Sequence, residues 1–172
     1  MRKPQILVIG YGEAHCPPDA YKTARVIGAE VARQGAVLVT GGLGGVMRAA
    51  SEGARNEGGL VVGIVPQSEK EYANPFCDVV IATGIGHARD FITAYSADAV
   101  IVVGGGVGTM VEASAAYLQR IPIVSIRGSG GTADKIADSY LDDRRLVKVE
   151  GETSPVKAVE RAIRSSSLSP RV

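Results

Sequence analysis

Residues 99–112 of this 172-residue chain read AVIVVGGGVGTMVE, an apolar run that breaks into glycines and resumes as a helix-forming segment. Five apolar residues, most of them β-branched, are typical of a buried strand. Four of the next five residues are glycine, which is more than a tight turn requires. The stretch therefore predicts a strand over 99–103, a glycine turn at 104–108, and a helix from Thr109 to about Arg120.

This 104–108 turn has the features of an anion site. Glycines let the main chain approach a phosphate closely, and the first free amides of a helix point at such a ligand. We therefore expect Gly105, Gly106, Gly108 and Thr109 to bind the phosphate of a nucleotide-like ligand. An alternative stays open: the glycines only make a turn, and Thr109 with Glu112 forms a capping box.

A second glycine-rich turn, the 41–45 turn, lies within residues 40–47, which read TGGLGGVM. Parallel strands gather their following loops at one sheet edge, so both turns are expected to meet at a single ligand. The sequence lacks the GxGxxG spacing and the P-loop Lys-Ser/Thr pair, which disfavours ordinary NAD binding and ATP hydrolysis. The predicted phosphate-binding residues of this turn are Gly41, Gly42, Gly44 and Gly45.

Short apolar segments alternate with helix-length segments along the chain, as in repeated β-α-β units. Strands are predicted at 5–9, 36–39, 60–65, 78–82, 99–103, 122–126 and, as a possible last strand, 146–150. Helices are predicted at 21–34, 46–56, 88–97, 109–120 and 133–141, with a final one beginning at Ser154-Pro155. The predicted fold is a single Rossmann-like α/β domain over 1–164, with a central parallel sheet of six or seven strands, helices on both faces, and a flexible tail at 165–172.

Composition excludes several classes of function. Hydrophobic residues make up 45% of the chain, and 19 Lys+Arg nearly balance 18 Asp+Glu, giving a net charge of +1. Because DNA binding relies on a basic surplus, no nucleic-acid partner is expected. No apolar stretch is long enough for a membrane span, so a cytoplasmic protein is expected. Cys16 and Cys77 lack a CxxC spacing and predict reduced thiols with no metal site.

Residues 5–127 resemble the Lonely-guy phosphoribohydrolases and their relatives long labelled "possible lysine decarboxylase", which include molybdenum-cofactor-carrier-like proteins. Four motifs carry the resemblance: Gly41-Gly42-x-Gly44-Gly45-x-Met47, Gly59-x-Val61-x-Gly63-Ile64-x-Pro66, His87-x-Arg89, and Gly105-Gly106-x-Gly108-Thr109-x-x-Glu112. The resemblance implies that Arg89 and Glu112 are a catalytic pair. The implied reaction is hydrolysis of a nucleoside 5′-monophosphate to free base and ribose 5-phosphate, with no required cofactor.

Two departures from the phosphoribohydrolase pattern bear on that expectation. Gly104 stands where that family has proline, and Asp90 stands where it has lysine, so the chain looks more like the carrier-like branch. The alternative function is accordingly a non-catalytic protein that binds or carries a nucleotide or molybdenum cofactor. A DNA-processing role is a third reading, on distant resemblance only.

Physical chemistry gives the implied pair a role. A carboxylate at Glu112 could stabilise the positive charge that develops on a ribose ring, or orient a water. Arg89 would orient that carboxylate or hold substrate, unless it is only a surface or capping arginine paired with Asp90. His87 is expected to be a loop residue and Met47 a core residue.

A homodimer or larger homo-oligomer is also expected. The family's oligomeric habit and a helix face of small residues, Ala113 and Ala116 beside Tyr117, favour it. The alternative is that this face packs on the protein's own sheet, which needs small residues as well.

Overall fold

Seven strands form one sheet in which all six neighbouring pairs are parallel, in the order β4-β3-β2-β1-β5-β6-β7. The computed structural model describes residues 2–167. The strands are β1 (Gln5–Gly10), β2 (Val37–Thr40), β3 (Val61–Val65), β4 (Val79–Ala82), β5 (Ala99–Val103), β6 (Ile123–Ile126) and β7 (Glu150–Glu152). The predicted parallel α/β sheet is thereby confirmed.

Six α-helices cover the two faces of the sheet within residues 2–167. They are α1 (Pro18–Arg33), α2 (Val46–Asn56), α3 (Arg89–Tyr95), α4 (Val107–Leu118), α5 (Gly131–Ile136) and α6 (Pro155–Ser166). Buried side chains of α1, α2 and α6 share one apolar cluster with the sheet, and those of α3, α4 and α5 share another. None of these helices is long and apolar enough to cross a membrane.

The order in which successive strands are added to the sheet reverses between β1 and β5. Strands β1 to β4 follow one another outwards, and β5 then returns to the other side of β1, with Leu7 opposite Val100. Loops that leave the carboxyl ends of β1 and β5 therefore diverge, and this is where open parallel sheets form ligand clefts.

The edge strand β4 departs from the expected uniform burial. Val79 and Ile81 are each 45% exposed, while their neighbours are partly buried, so the strand alternates between two environments. The sequence of β4 is apolar throughout, but only one face of this edge strand is covered. The apolar sequence of β4 correctly predicted a parallel strand. It wrongly predicted that both faces of the strand are buried.

Several predicted boundaries shift. Helix α4 begins at Val107, before Thr109, and α5 ends at Ile136 because Asp138 takes a left-handed conformation (φ 60°) soon after. The last strand is Glu150–Glu152, later than 146–150. Helix α6 includes Ser165 and Ser166, which the sequence assigned to the tail, while residues 168–172 of that tail lie outside the described residues.

The helix face that motivated the prediction of an oligomer packs inside this chain. Ala113 and Ala116 are fully buried and Tyr117 is 2% exposed, all within the apolar cluster on the α4 side of the sheet. The Tyr117 hydroxyl also donates to the carboxylate of Asp142 (2.7 Å) and accepts from the amide of Leu146 (3.1 Å). These small residues therefore serve helix-to-sheet packing and are no guide to oligomeric state.

Candidate functional site

A cavity of about 520 Å³ opens where the carboxyl ends of β1, β2 and β5 meet. It contains the start of α4, the end of β1 and the start of α3, so it lies at the point where the strand order reverses. The lining residues are Ile9, Gly10, Tyr11, Gly12, His15, Gly41, Met47, His87, Arg89, Asp90, Gly106, Gly108, Thr109 and Glu112.

Helix α4 presents free backbone amides to this cavity. Its N-cap is Gly106, and no side chain caps the helix. The first amide with a main-chain partner is that of Met110, which donates to the Gly106 carbonyl (3.1 Å), and among residues 2–167 nothing accepts from the amides of residues 107–109. Gly106 and Gly108 are exposed to solvent. The helix start therefore has unused donors and the positive end of the helix dipole, as an anion requires.

The capping-box alternative for Thr109 and Glu112 is wrong. Thr109 is the third residue of α4 and Glu112 the sixth, whereas a capping box places its first residue at the N-cap. The Thr109 hydroxyl donates instead to the carbonyl of Gly10 (3.0 Å), which joins α4 to the end of β1. Of the two donors of Thr109, only its backbone amide is thus left for a ligand.

The loop between β6 and α5 fixes the 104–108 turn from behind. The Ser129 hydroxyl accepts from the amide of Gly104 (2.8 Å), and Thr132 donates through its amide to the Gly105 carbonyl and through its hydroxyl to the Gly106 carbonyl (2.8 Å each). The carbonyls of the turn are thereby satisfied on the side away from the cavity. This bracing leaves the amides that follow them facing the solvent.

Gly104 is held in a conformation that proline cannot adopt. Its φ is +59°, whereas the proline ring fixes φ near −65°. A Cβ at this position would also lie 1.9 Å from the ring of Tyr11. The Tyr11 ring thus occupies the space that a side chain would need, and this explains why glycine stands where the phosphoribohydrolases have proline.

The 41–45 turn contributes less to this cavity than the sequence predicted. Gly41 lines it, whereas Gly44 lines a neighbouring cavity of about 460 Å³, and Gly42 and Gly45 are buried. The side-chain amide of Asn74 donates to the carbonyls of Gly42 (3.1 Å) and Leu43 (3.0 Å). A Cβ on Gly45 would lie 2.3 Å from the Tyr11 carbonyl oxygen. These glycines serve close packing.

Arg89 is buried and is bonded to the ends of two strands. It is 7% exposed, and its Nη1 donates to the carbonyls of Gly41 (3.0 Å) and Ile64 (2.9 Å). A Cβ on Gly41 would lie 2.2 Å from that nitrogen, so a larger residue there would displace the guanidinium. The interpretation of Arg89 as a surface residue is wrong, although its Nε does pair with Asp90 Oδ1 at 3.4 Å.

Glu112 reaches the cavity from the second turn of α4, and its carboxyl lies deep in the protein. The pKa of this carboxyl is raised to about 8, first because burial removes water from it and second because the Asp90 carboxylate is near, while the charge of Arg89 and the hydroxyl of Thr93 oppose the shift. Solvent reaches part of the residue through the cavity. At neutral pH and with the site empty, Glu112 is therefore mainly the neutral acid.

Asp90 is a cavity residue that sequence reasoning treated only as a departure from a family pattern. It is 7% exposed, and desolvation raises the pKa of its carboxyl, against the opposing charges of Arg89 and His87. Its position beside Arg89 in a short helix after a 3-10 turn (Gly86–Ala88) was a signal that could have suggested a site residue. A buried carboxyl beside a second one in a cleft is a common feature of functional sites.

Four further cavity residues were not predicted as site residues. Tyr11 and His15 follow β1 on a loop that the sequence analysis passed over, and His87 and Met47 were interpreted as loop and core residues. Each follows a glycine within three residues, which is a weak signal for a turn at a strand end. Residues 2–167 contain no group of three His, Cys, Asp or Glu side chains arranged to hold a metal ion.

Curated relatives match parts of the chain. An uncharacterized protein of Archaeoglobus fulgidus is 46% identical over 127 residues, covering 74% of this chain and 82% of that protein. A cytokinin riboside 5′-monophosphate phosphoribohydrolase of Mycobacterium marinum is 36% identical over 99 residues. That match covers 55% of this chain and only 52% of the mycobacterial protein, so the chain matches about half of that enzyme.

Solved structures match nearly the whole fold. The molybdenum cofactor binding protein of Rippkaea orientalis superposes with a TM-score of 0.84 at 33% identity, covering 96% of this chain and 98% of that one. The molybdenum cofactor carrier protein of Chlamydomonas reinhardtii superposes with a TM-score of 0.82 at 30% identity, covering 96% and 99%.

The model of the SLOG cluster4 family matches residues 3–159, which contain all seven strands and the whole cavity. The Lonely-guy-like resemblance seen in the sequence is thus confirmed at the level of the family. The chain belongs to the SLOG cluster4 family.

Proposed function

We propose that this protein hydrolyses the N-glycosidic bond of a nucleoside 5′-monophosphate, releasing free base and ribose 5-phosphate. One observation carries the proposal: the free amides at the start of α4 and the carboxyl of Glu112 open into the same cavity. Similarity to the mycobacterial phosphoribohydrolase adds support, and it extends over half of that enzyme.

The phosphate binds at the amides of residues 106–109. Gly106 and Gly108 have nothing within 4 Å of a Cβ position, so a ligand can approach the main chain there. Thr109 contributes its amide alone, because its hydroxyl is bonded to Gly10. The amides act with the helix dipole, which makes a phosphate dianion the favoured occupant.

Glu112 faces the ribose of such a ligand. It lies one helical turn beyond Gly108, a rise of about 6 Å, which is comparable with the span from a 5′-phosphate to the sugar ring. Cleavage of the glycosidic bond places positive charge on the ribose and requires a proton for the departing base. A carboxyl group serves the first need when ionised and the second when protonated.

Arg89 positions this chemistry. Its guanidinium joins Gly41 of the 41–45 turn to β3 and lies close enough to lower the pKa of Glu112 by its charge. Replacing it would disturb the turn as well as the site, so an Arg89→Ala variant cannot separate catalysis from structure. The ligand proposed for the cavity is the nucleoside monophosphate itself, and the proposed reaction needs no resident cofactor.

The second candidate is a protein that binds or carries a nucleotide or the molybdenum cofactor without turnover. The observation that favours it is the pair of departures at the site: Gly104 at a φ that proline cannot adopt, and the buried Asp90. Full-length similarity to two molybdenum cofactor proteins points the same way. Both candidates place an anionic small molecule, rather than nucleic acid or a membrane, in the cavity of a cytoplasmic homo-oligomer.

One experiment separates the two candidates. The purified protein is incubated with a panel of purine and pyrimidine nucleoside 5′-monophosphates, and free base is quantified by chromatography while binding is followed by calorimetry. Hydrolysis of at least one monophosphate, with no release from the matching nucleoside, supports the enzyme. Binding without release of any base supports the carrier instead.

A further inference from the structure

Two carboxyl groups from different helices open into the same cavity. Asp90 comes from the first turn of α3 and Glu112 from the second turn of α4, and these two helices pack against each other. Asp90 is 7% exposed, so little water screens its charge. Two largely buried carboxylates in one cavity repel each other, so the pair is more stable with one proton than with none.

Arg89, the arginine beside the two carboxyl groups, makes its hydrogen bonds to the main chain. Both hydrogen bonds of Arg89 Nη1 go to main-chain carbonyls, and its Nε, although 3.4 Å from Asp90 Oδ1, makes no hydrogen bond. The Arg89 guanidinium carries one positive charge. It can balance one of the two carboxylates and leaves the other without a counter-charge.

Two exposed histidines and a tyrosine are the other titratable groups on the cavity wall. The 3-10 turn supplies His87, and the loop after β1 supplies His15 and Tyr11, all on the cavity wall. Both histidines are exposed on their outer side. Helix α3 adds Thr93, whose neutral hydroxyl donates to the Arg89 carbonyl at 3.0 Å and brings no charge to balance a carboxylate.

We propose that Asp90 and Glu112 form an acid pair that shares one proton in the free protein at neutral pH. Asp90 is a positioning residue that keeps the proton on Glu112. Burial and the charge of Asp90 together make Glu112 a proton donor, and Asp90 stands where the resembled enzymes have lysine.

The chemical use of the pair rests on the proposed function. The Glu112 proton passes to the base nitrogen as its bond to ribose C1′ breaks, and the bonding electrons leave with the base. Water adds its oxygen to C1′ and its proton returns to the pair. The pair therefore ends the cycle with the one proton it began with.

The test follows the two carboxyl carbons by NMR in the free protein, with ¹³C-labelled glutamate and aspartate, from pH 4 to pH 10. We expect Glu112 to titrate with a midpoint near pH 8. The signal is assigned by its loss in Glu112→Gln. Both carbons should report the same two steps, because interacting groups titrate as a pair. A single step near pH 4.5 at Glu112 would overturn the proposal.

Variants of Asp90 test its part. Asp90→Asn should lower the Glu112 midpoint by at least one pH unit, and Asp90→Glu, which restores the charge, should retain most of the shift. Asp143→Asn, which removes an exposed carboxylate, should leave it unchanged. An unchanged midpoint in Asp90→Asn contradicts the proposal. If that variant does not fold, the two-step titration of the unmodified protein decides alone.

Failure of the proposed function gives a different result. If no monophosphate is hydrolysed while the coupled titration is observed, the enzyme reading fails and the acid pair stands. If hydrolysis occurs, kcat should fall as pH rises through the Glu112 midpoint, and Asp90→Asn should move that fall to lower pH. A kcat profile that does not follow the titration would show that the pair exists without supplying the proton.

Discussion

The 104–108 turn and the 41–45 turn have similar sequences but different structural roles. Both follow a buried strand and lead into a helix, and each contains four glycines in five residues. In the first, the carbonyls are bonded to the β6–α5 loop and the following amides are free. In the second, three of the four glycines are buried and Asn74 donates to the carbonyls of Gly42 and Leu43. Glycine content alone does not distinguish a ligand site from a packing turn.

The largest expected effect is on the stability of the 41–45 turn. Gly45→Ala places a Cβ 2.3 Å from the Tyr11 carbonyl oxygen at a φ of +64°, and nothing flexible can move aside. We expect a loss of about 3 kcal/mol or more in the free energy of unfolding. Urea denaturation measures it. A variant as stable as the parent would show that the two turns do not differ in the way described.

The second effect is the pH dependence that Glu112 adds to stability. Its folded-state pKa of about 8 is above the usual value of 4.5, so the folded protein holds a proton that the unfolded chain releases between those pH values. Stability therefore falls as pH rises through that window. Glu112→Gln should remove this fall and therefore be more stable than the parent at pH 9.

Thermal unfolding of both proteins at pH 5, 7 and 9 provides the measurement. Glu160→Gln, a change at an exposed position on α6, serves as the matched control and should leave the pH dependence unaltered. Parallel pH profiles for the parent and Glu112→Gln would mean that Glu112 is not desolvated.

The smallest of the three effects is on ligand affinity at the 104–108 turn. Gly108→Val meets no neighbouring atom, so stability should change little, but the side chain stands beside the amides that bind phosphate. We expect at least a tenfold loss in monophosphate affinity, about 1.4 kcal/mol, by calorimetry. Val107→Ala, at an 83% exposed neighbour, is the control and should bind as the parent does. Unchanged affinity in Gly108→Val would place the phosphate elsewhere.

The sequence predicted the sheet because strands such as β1 and β5 are uninterrupted apolar runs, which parallel strands require. It predicted the 104–108 turn from its glycines, and the resemblance to the phosphoribohydrolases pointed to Glu112. It missed the role of Asn74, thirty residues beyond the turn it supports, and the Tyr11 ring over Gly104, since neither contact has a local pattern. It also placed the start of α4 two residues late, which made a capping box conceivable. Such tertiary contacts come from the three-dimensional fold and not from neighbouring residues.

A homo-oligomer is still predicted, but the prediction now rests on a different surface. The buried face of α4 no longer supports it, but Phe91, Ile92 and Tyr95 of α3 and Val107 and Leu118 of α4 are 40% to 83% exposed. Apolar side chains grouped on two packed helices favour association. Light scattering at micromolar concentrations should give at least twice the monomer mass.

The most direct test of the central claim compares base release and binding in the parent and in Glu112→Gln with the best monophosphate of the panel. Gln keeps the size of the neutral acid and can neither give nor take the proton, so kcat should fall at least about a hundredfold while the dissociation constant stays within a few-fold. Equal turnover in the two proteins, or no base released by the parent from any monophosphate, would contradict the account.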